Sequence, residues 1–210
     1  MAGIGFSLKK LFNKKGVFNL CRAYGYAGLI CAGPMILGVI LLTGVAFLSQ
    51  LAGMDQHHRE LLNCMLTYCL LASLTTTSIF NMGVTRFVSD MLYEEKASKI
   101  MPSLYGSCAI LLVGGAFVWC VFLHFSGVSP VYKLLCLWFY VILIVVWMEM
   151  NYLTALKDYK VLVMDFAASL GIGLLLALIL VLLRMVTITT LFLCVILAYG
   201  LLMTLYYRQV

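Results

Sequence analysis

Four ionisable side chains fall inside long apolar runs of this chain: Arg86, Asp90, Glu149 and Asp165. A charge at membrane depth is expensive, so each needs a partner, a wet cavity, or a task such as taking up a proton or a cation. Arg86 and Asp90 stand four apart and share one helix face. Glu149 lies about two turns inside the end of its run, and Asp165 about one turn inside the start of the next. All four thus sit at similar depth toward one leaflet, where a buried ionic cluster would lower the desolvation cost of each. Pairing that fixes helix order, or snorkelling to the interface, is the plain structural account. The functional account is an inner gate or a proton- or cation-coupling site, with Glu149, the deepest acid, as its best candidate.

A second pattern is polar but uncharged. Ser73, Thr77, Asn81, Thr85 and Ser89 recur every fourth residue, a slowly drifting stripe on one helix. Lipid does not favour such a stripe, which predicts a face toward the bundle interior or a wet cavity. The hydroxyls can instead bond back to their own helix, whereas Asn81 predicts an interhelical contact. Tyr24, Tyr26, Trp147 and Tyr152 are candidates for stacking on a sugar or a cation, although interface belts and packing use most such rings. His57 and His58, with Asp55 and Glu60, make only a weak metal-like cluster, better read as a solvated outer loop. No Ser/His/Asp, paired-acid, metal, dinucleotide or P-loop motif is present, so neither an enzyme nor a cofactor is expected.

The elements that must position these residues are membrane helices. Of 210 residues, 64% are hydrophobic and only 10% charged, with mean hydropathy +1.09; soluble domains carry about 25% charged residues. The chain reads as an all-α, polytopic membrane protein with six transmembrane helices at about 23–51, 61–91, 100–125, 131–156, 161–183 and 186–207. Residues 1–22 form a basic, amphipathic leader whose Lys9, Lys10, Lys14 and Lys15 suit the membrane surface. Gly33-Pro34 interrupts the first span, and Pro34 predicts a kink there because it removes a backbone donor. No cleavable signal peptide is expected, since the first apolar run is too long for one.

Orientation follows from the cations. With the N-terminus inside, Lys9, Lys10, Lys14, Lys15, Arg22, Arg86, Lys96, Lys99, Lys157, Lys160 and Arg208 face the cytoplasm, against only Arg59, Lys133 and Arg184 outside. Both termini are therefore predicted to be cytoplasmic, and the short connections make consecutive helices antiparallel neighbours. The net charge of +6 sits at membrane edges and gives no nucleic-acid signal. The eight cysteines fall mostly in apolar runs without CxxC spacing and read as small apolar packing residues.

MAGIGFSLKKLF, followed by AYGYAGLICAGPMIL, resembles the opening of the inner-membrane transporter family of the Pel exopolysaccharide system. TRFVSDMLYEEKASKIMPSL resembles that family's segment between the second and third helices. The resemblance implies the multidrug/oligosaccharidyl-lipid/polysaccharide flippase superfamily, in which two six-helix lobes of MATE-like fold surround a cavity and work by alternating access. It also implies an amino-sugar-rich polysaccharide substrate, a cytosolic glycosyltransferase and other inner-membrane Pel proteins as partners, and the bacterial inner membrane as location. Family members carry a second set of spans, so this chain is expected to be the N-terminal lobe or to pair with a second lobe or second copy. The path or gate residues expected on these grounds are Pro34, Thr77, Asn81, Arg86, Asp90, Glu149 and Asp165. Two alternatives stand beside polysaccharide transport: a cation-coupled drug or small-molecule exporter of the same superfamily, and a membrane scaffold that docks a cytosolic glycosyltransferase through its basic leader.

Overall fold

The computed structural model describes residues 36–156 and 159–209, and regular structure there is helical throughout. In order come α1 (Ile36–Leu51), α2 (Gln56–Tyr93), a short 3-10 turn (Ala97–Lys99), α3 (Ile100–Phe125), α4 (Pro130–Leu156), α5 (Tyr159–Leu182) and α6 (Ile188–Tyr207). α2 to α6 are each long and apolar enough to cross a bilayer. The chain is thus a multi-pass helical membrane protein, as its composition requires. The leader with Lys9, Lys10, Lys14 and Lys15, the rings of Tyr24 and Tyr26, and Pro34 lie outside the described residues.

Local chemistry sets the helix ends. Pro130 opens α4 at the first helical position, and Pro102 sits in the first turn of α3, where a missing amide proton costs little. Thr187 caps α6: its hydroxyl accepts from the Thr190 amide at 3.2 Å, and the Thr190 hydroxyl accepts from the Thr187 amide at 2.8 Å. α1, α2 and α5 all end in the same way. Gly53, Glu95 and Arg184 adopt positive φ, and the next residue's amide reaches back five positions, as in Met54 to Ser49, Lys96 to Met91 and Met185 to Leu180. Only the first of these ends has the glycine such a conformation favours.

α4 is the centre of the bundle. It packs against α2, α3 and α6, and α5 packs on α6. Consecutive helices from α2 to α6 do touch, as the short connections predict, but non-consecutive pairs contribute as much. The broadest contact joins α2 to α4, and α4 meets α6 far more than α5. Phe139, Leu143, Ile144, Val146 and Met148 of α4 are fully buried between these neighbours.

Small residues set the closest approaches, as is usual between membrane helices. A Cβ at Gly173 of α5 would stand 2.5 Å from Ala198 Cβ of α6. One at Gly115 of α3 would meet Tyr140 Oη of α4 at 2.8 Å and Thr76 Cγ2 of α2 at 2.9 Å. At that three-helix junction the Thr76 and Tyr140 hydroxyls share a hydrogen bond of 2.8 Å, and Trp119 stacks on Tyr140. Deeper in, Phe139 meets Phe192 and Tyr199 edge to face, and Phe166 meets Tyr199 likewise. The centre of the bundle is therefore filled with rings rather than hollow.

Candidate functional site

Toward the end of the bundle where α2, α4 and α6 terminate, α4 turns Glu149 inward. Its side chain is 1% exposed, and Oε2 has no hydrogen-bond partner among the described residues. One turn further on, Tyr152 of α4 shares a 2.8 Å hydrogen bond with Ser103 of α3. Asp165 of α5 also holds a shielded, unpartnered oxygen, Oδ2. Both acids lie within electrostatic reach of Tyr206 of α6, whose hydroxyl donates to the Leu162 carbonyl at 2.9 Å. Cys108 of α3 is within reach of Glu149 as well. Two shielded carboxyl groups thus stand on different helices, α4 and α5.

An ionised carboxyl without a partner is costly in such surroundings. Each acid needs a proton, a cation or a partner supplied by movement. Among the described residues no three of His, Cys, Asp and Glu gather as they would around a metal ion. A single proton is the simplest occupant of Glu149 on chemical grounds.

The other expected residues separate. Arg86 and Asp90 do not join Glu149 and Asp165 in a buried cluster. They pair with each other at 3.9 Å, with side chains 87% and 63% exposed. The length of α2 explains this. Its 38 residues span roughly 57 Å, against about 30 Å of hydrocarbon, so its last turns can run past the apolar layer. Such an exposed pair contributes about 0.5 kcal/mol at most.

The polar stripe also divides. Ser73 and Thr77 face the bundle, whereas Asn81 and Ser89 are exposed on its outside. At 3.6 residues per turn, every step of four rotates by roughly 40°, so four steps carry the stripe about 160° round the helix. The Thr77 hydroxyl bonds back to the Ser73 carbonyl at 2.9 Å. Asn81, expected to join a second helix of the bundle, instead points away from it. Trp147 and Tyr152 are buried in helix contacts, so neither offers a face for sugar stacking; Trp147 Nε1 donates to Ser73 Oγ at 3.0 Å.

One polar feature escaped the sequence reading. At the opposite end of the bundle, α1 and α2 flank a cleft that contains Gln50, Arg59 and Asn63. The clustering of amides on both sides of the α1–α2 turn was the available signal.

Compared with known families, residues 1–210 match the model of the PelG family, described as a "Putative exopolysaccharide Exporter (EPS-E)". The chain belongs to the PelG family. Neither the curated proteins nor the solved structures contain a match. Membership of PelG, with five spans of crossing length, supports polysaccharide transport rather than catalysis.

Proposed function

We propose that the chain carries a Pel-type, amino-sugar-rich exopolysaccharide across the bacterial inner membrane as one lobe of an alternating-access carrier. The observation that carries the lobe reading is the pairing of a filled centre with an exposed amide, Asn81, on the outside of α2. Phe139, Tyr140, Phe166, Phe192 and Tyr199 leave no room for a hydrated polymer inside the bundle. The exposed polar side chains of α2 instead lie outside the bundle, at Ser78, Asn81 and Ser89. The Ser78 and Ser89 hydroxyls bond back to their own helix, so the exposed amide of Asn81 is the group that lipid would least favour. A second lobe or a second copy opposite it would enclose a polar path between the two. The cation bias keeps both termini cytoplasmic, where a glycosyltransferase and other inner-membrane Pel proteins would deliver the polymer.

The test is polymer export from cells in which this chain replaces their own exporter component. Asn81→Leu should lower export severalfold with membrane insertion intact, while the lipid-facing control Val113→Leu leaves export unchanged. Full export by Asn81→Leu would refute a path along this face.

A second reading, a cation-coupled exporter of small molecules, draws on the buried, unpartnered carboxyl of Glu149. Under it, Glu149→Gln changes the pH dependence of small-molecule efflux. An unchanged pH profile together with continued polymer secretion would discard it.

A further inference from the structure

The cleft between the end of α1 and the start of α2 has a volume of about 590 Å³. That falls within the roughly 300–1,000 Å³ of pockets that hold small organic ligands. Its walls are polar for a membrane protein. Thr43, Phe47 and Gln50 come from α1; Arg59, Glu60 and Asn63 come from α2.

Two observations distinguish this cleft from a wet gap between helices. First, Arg59 Nε is shielded from solvent and has no hydrogen-bond partner among the described residues. A buried N–H donor left unpaired on a guanidinium is costly, and an acceptor brought by a ligand would relieve it. Second, the wall is already ordered, because Gln56 Nε2 donates to Glu60 Oε1 at 2.8 Å. The Thr43 hydroxyl donates to the Val39 carbonyl at 2.8 Å, which turns its free lone pair outward as an acceptor.

The lining has the character of a sugar site. Gln50 and Asn63 each offer a donor and an acceptor, the requirement for bridging neighbouring hydroxyls. Phe47 is 61% exposed, so its ring can pack on the apolar face of a pyranose. The positive Arg59 stands beside the negative Glu60, so the lining is close to neutral. That balance disfavours the phosphate of a lipid headgroup, which a lone arginine at a membrane edge would otherwise attract. The cleft also lies at the end predicted to face away from the cytoplasm.

We propose that this cleft is a binding site for a short glycan segment at the outer mouth of the transporter, holding exported polymer near the membrane surface. The proposal rests on the export reading above for its biological sense, but its physical content is binding.

The full-length chain in lipid nanodiscs is titrated calorimetrically with chitosan oligosaccharides, with the matching N-acetylated oligosaccharides, and with glycerol 3-phosphate. Either oligosaccharide should bind, and glycerol 3-phosphate should not. Arg59→Ala and Asn63→Ala should each weaken oligosaccharide binding by about tenfold or more, the scale of a hydrogen bond that involves a charged group. If Arg59→Ala fails to insert, Asn63→Ala and Gln50→Ala, which leave the charges in place, carry the comparison.

Oligosaccharide binding that none of these variants weakens would overturn the proposal. So would glycerol 3-phosphate binding in place of the sugar, which would make the cleft a lipid-headgroup site. Polymer export is measured in parallel. Export without oligosaccharide binding removes the site and leaves the export reading standing; binding without export removes the export reading and leaves the site.

Discussion

Replacing Glu149 by leucine should stabilise this protein. The side chain is 1% exposed, and Oε2 finds no partner among the described residues. A buried polar group without a hydrogen bond costs about 1–3 kcal/mol on the scale of protein substitutions. Leucine is apolar and close to glutamate in volume, and the neighbours on α4, Met148 and Tyr152, are already fully buried. Glu149→Leu should therefore raise stability by about 1–3 kcal/mol, which for a chain of this size is a rise of roughly 2–12 °C in Tm. Glu149→Gln keeps an unsatisfied polar head and should change stability by less than about 1 kcal/mol. Thermal unfolding of purified protein in mild detergent, followed by circular dichroism, measures both. A loss of stability in Glu149→Leu would refute the reasoning, because it would mean that the carboxyl makes an interaction in the folded protein worth more than its desolvation. A gain in stability joined to a loss of transport would mark Glu149 as a residue held at a structural cost for a task.

Gly173→Ala should destabilise by about 1–3 kcal/mol, because its methyl would meet Ala198 Cβ at 2.5 Å. Adding Ala198→Gly should recover most of that loss, read by the same unfolding assay. Ser73→Ala leaves the buried Trp147 indole N–H without its 3.0 Å acceptor and should cost about 1–3 kcal/mol, with a shift in tryptophan fluorescence. Glu95→Gly removes a side chain from a positive-φ position at the end of α2 and should gain about 1 kcal/mol in thermal unfolding.

The helical architecture was legible because the charges are so few. Runs such as those of α5 and α6 leave no alternative to crossing a membrane. What hydropathy does not encode is which helix lies beside which. α3, α4, α5 and α6 are all strongly apolar, so hydropathy alone does not mark α4 as the central helix. Asn81 leaves the bundle interior because a pattern of period four looks straight on paper but has turned about 80° round α2 between Ser73 and Asn81. Arg86 and Asp90 do not join the buried acids because they lie on the exposed side of α2 and pair with each other. The sequence singled out Glu149 as a charge inside an apolar run, and the structure buries it. Arg59 reads as part of a solvated outer loop, and the amides on both sides of the α1–α2 turn are the signal that it lines a cleft.

The central claim is that the outward face of α2 lines a hydrated path. Accessibility at Asn81 tests it most directly, in an assembled transporter lacking the exposed Cys64 and Cys120. Asn81→Cys should react with a membrane-impermeant maleimide, while Val113→Cys, on a lipid-facing surface, should not. Equal protection of both positions would place lipid or packed protein against α2 and contradict the account.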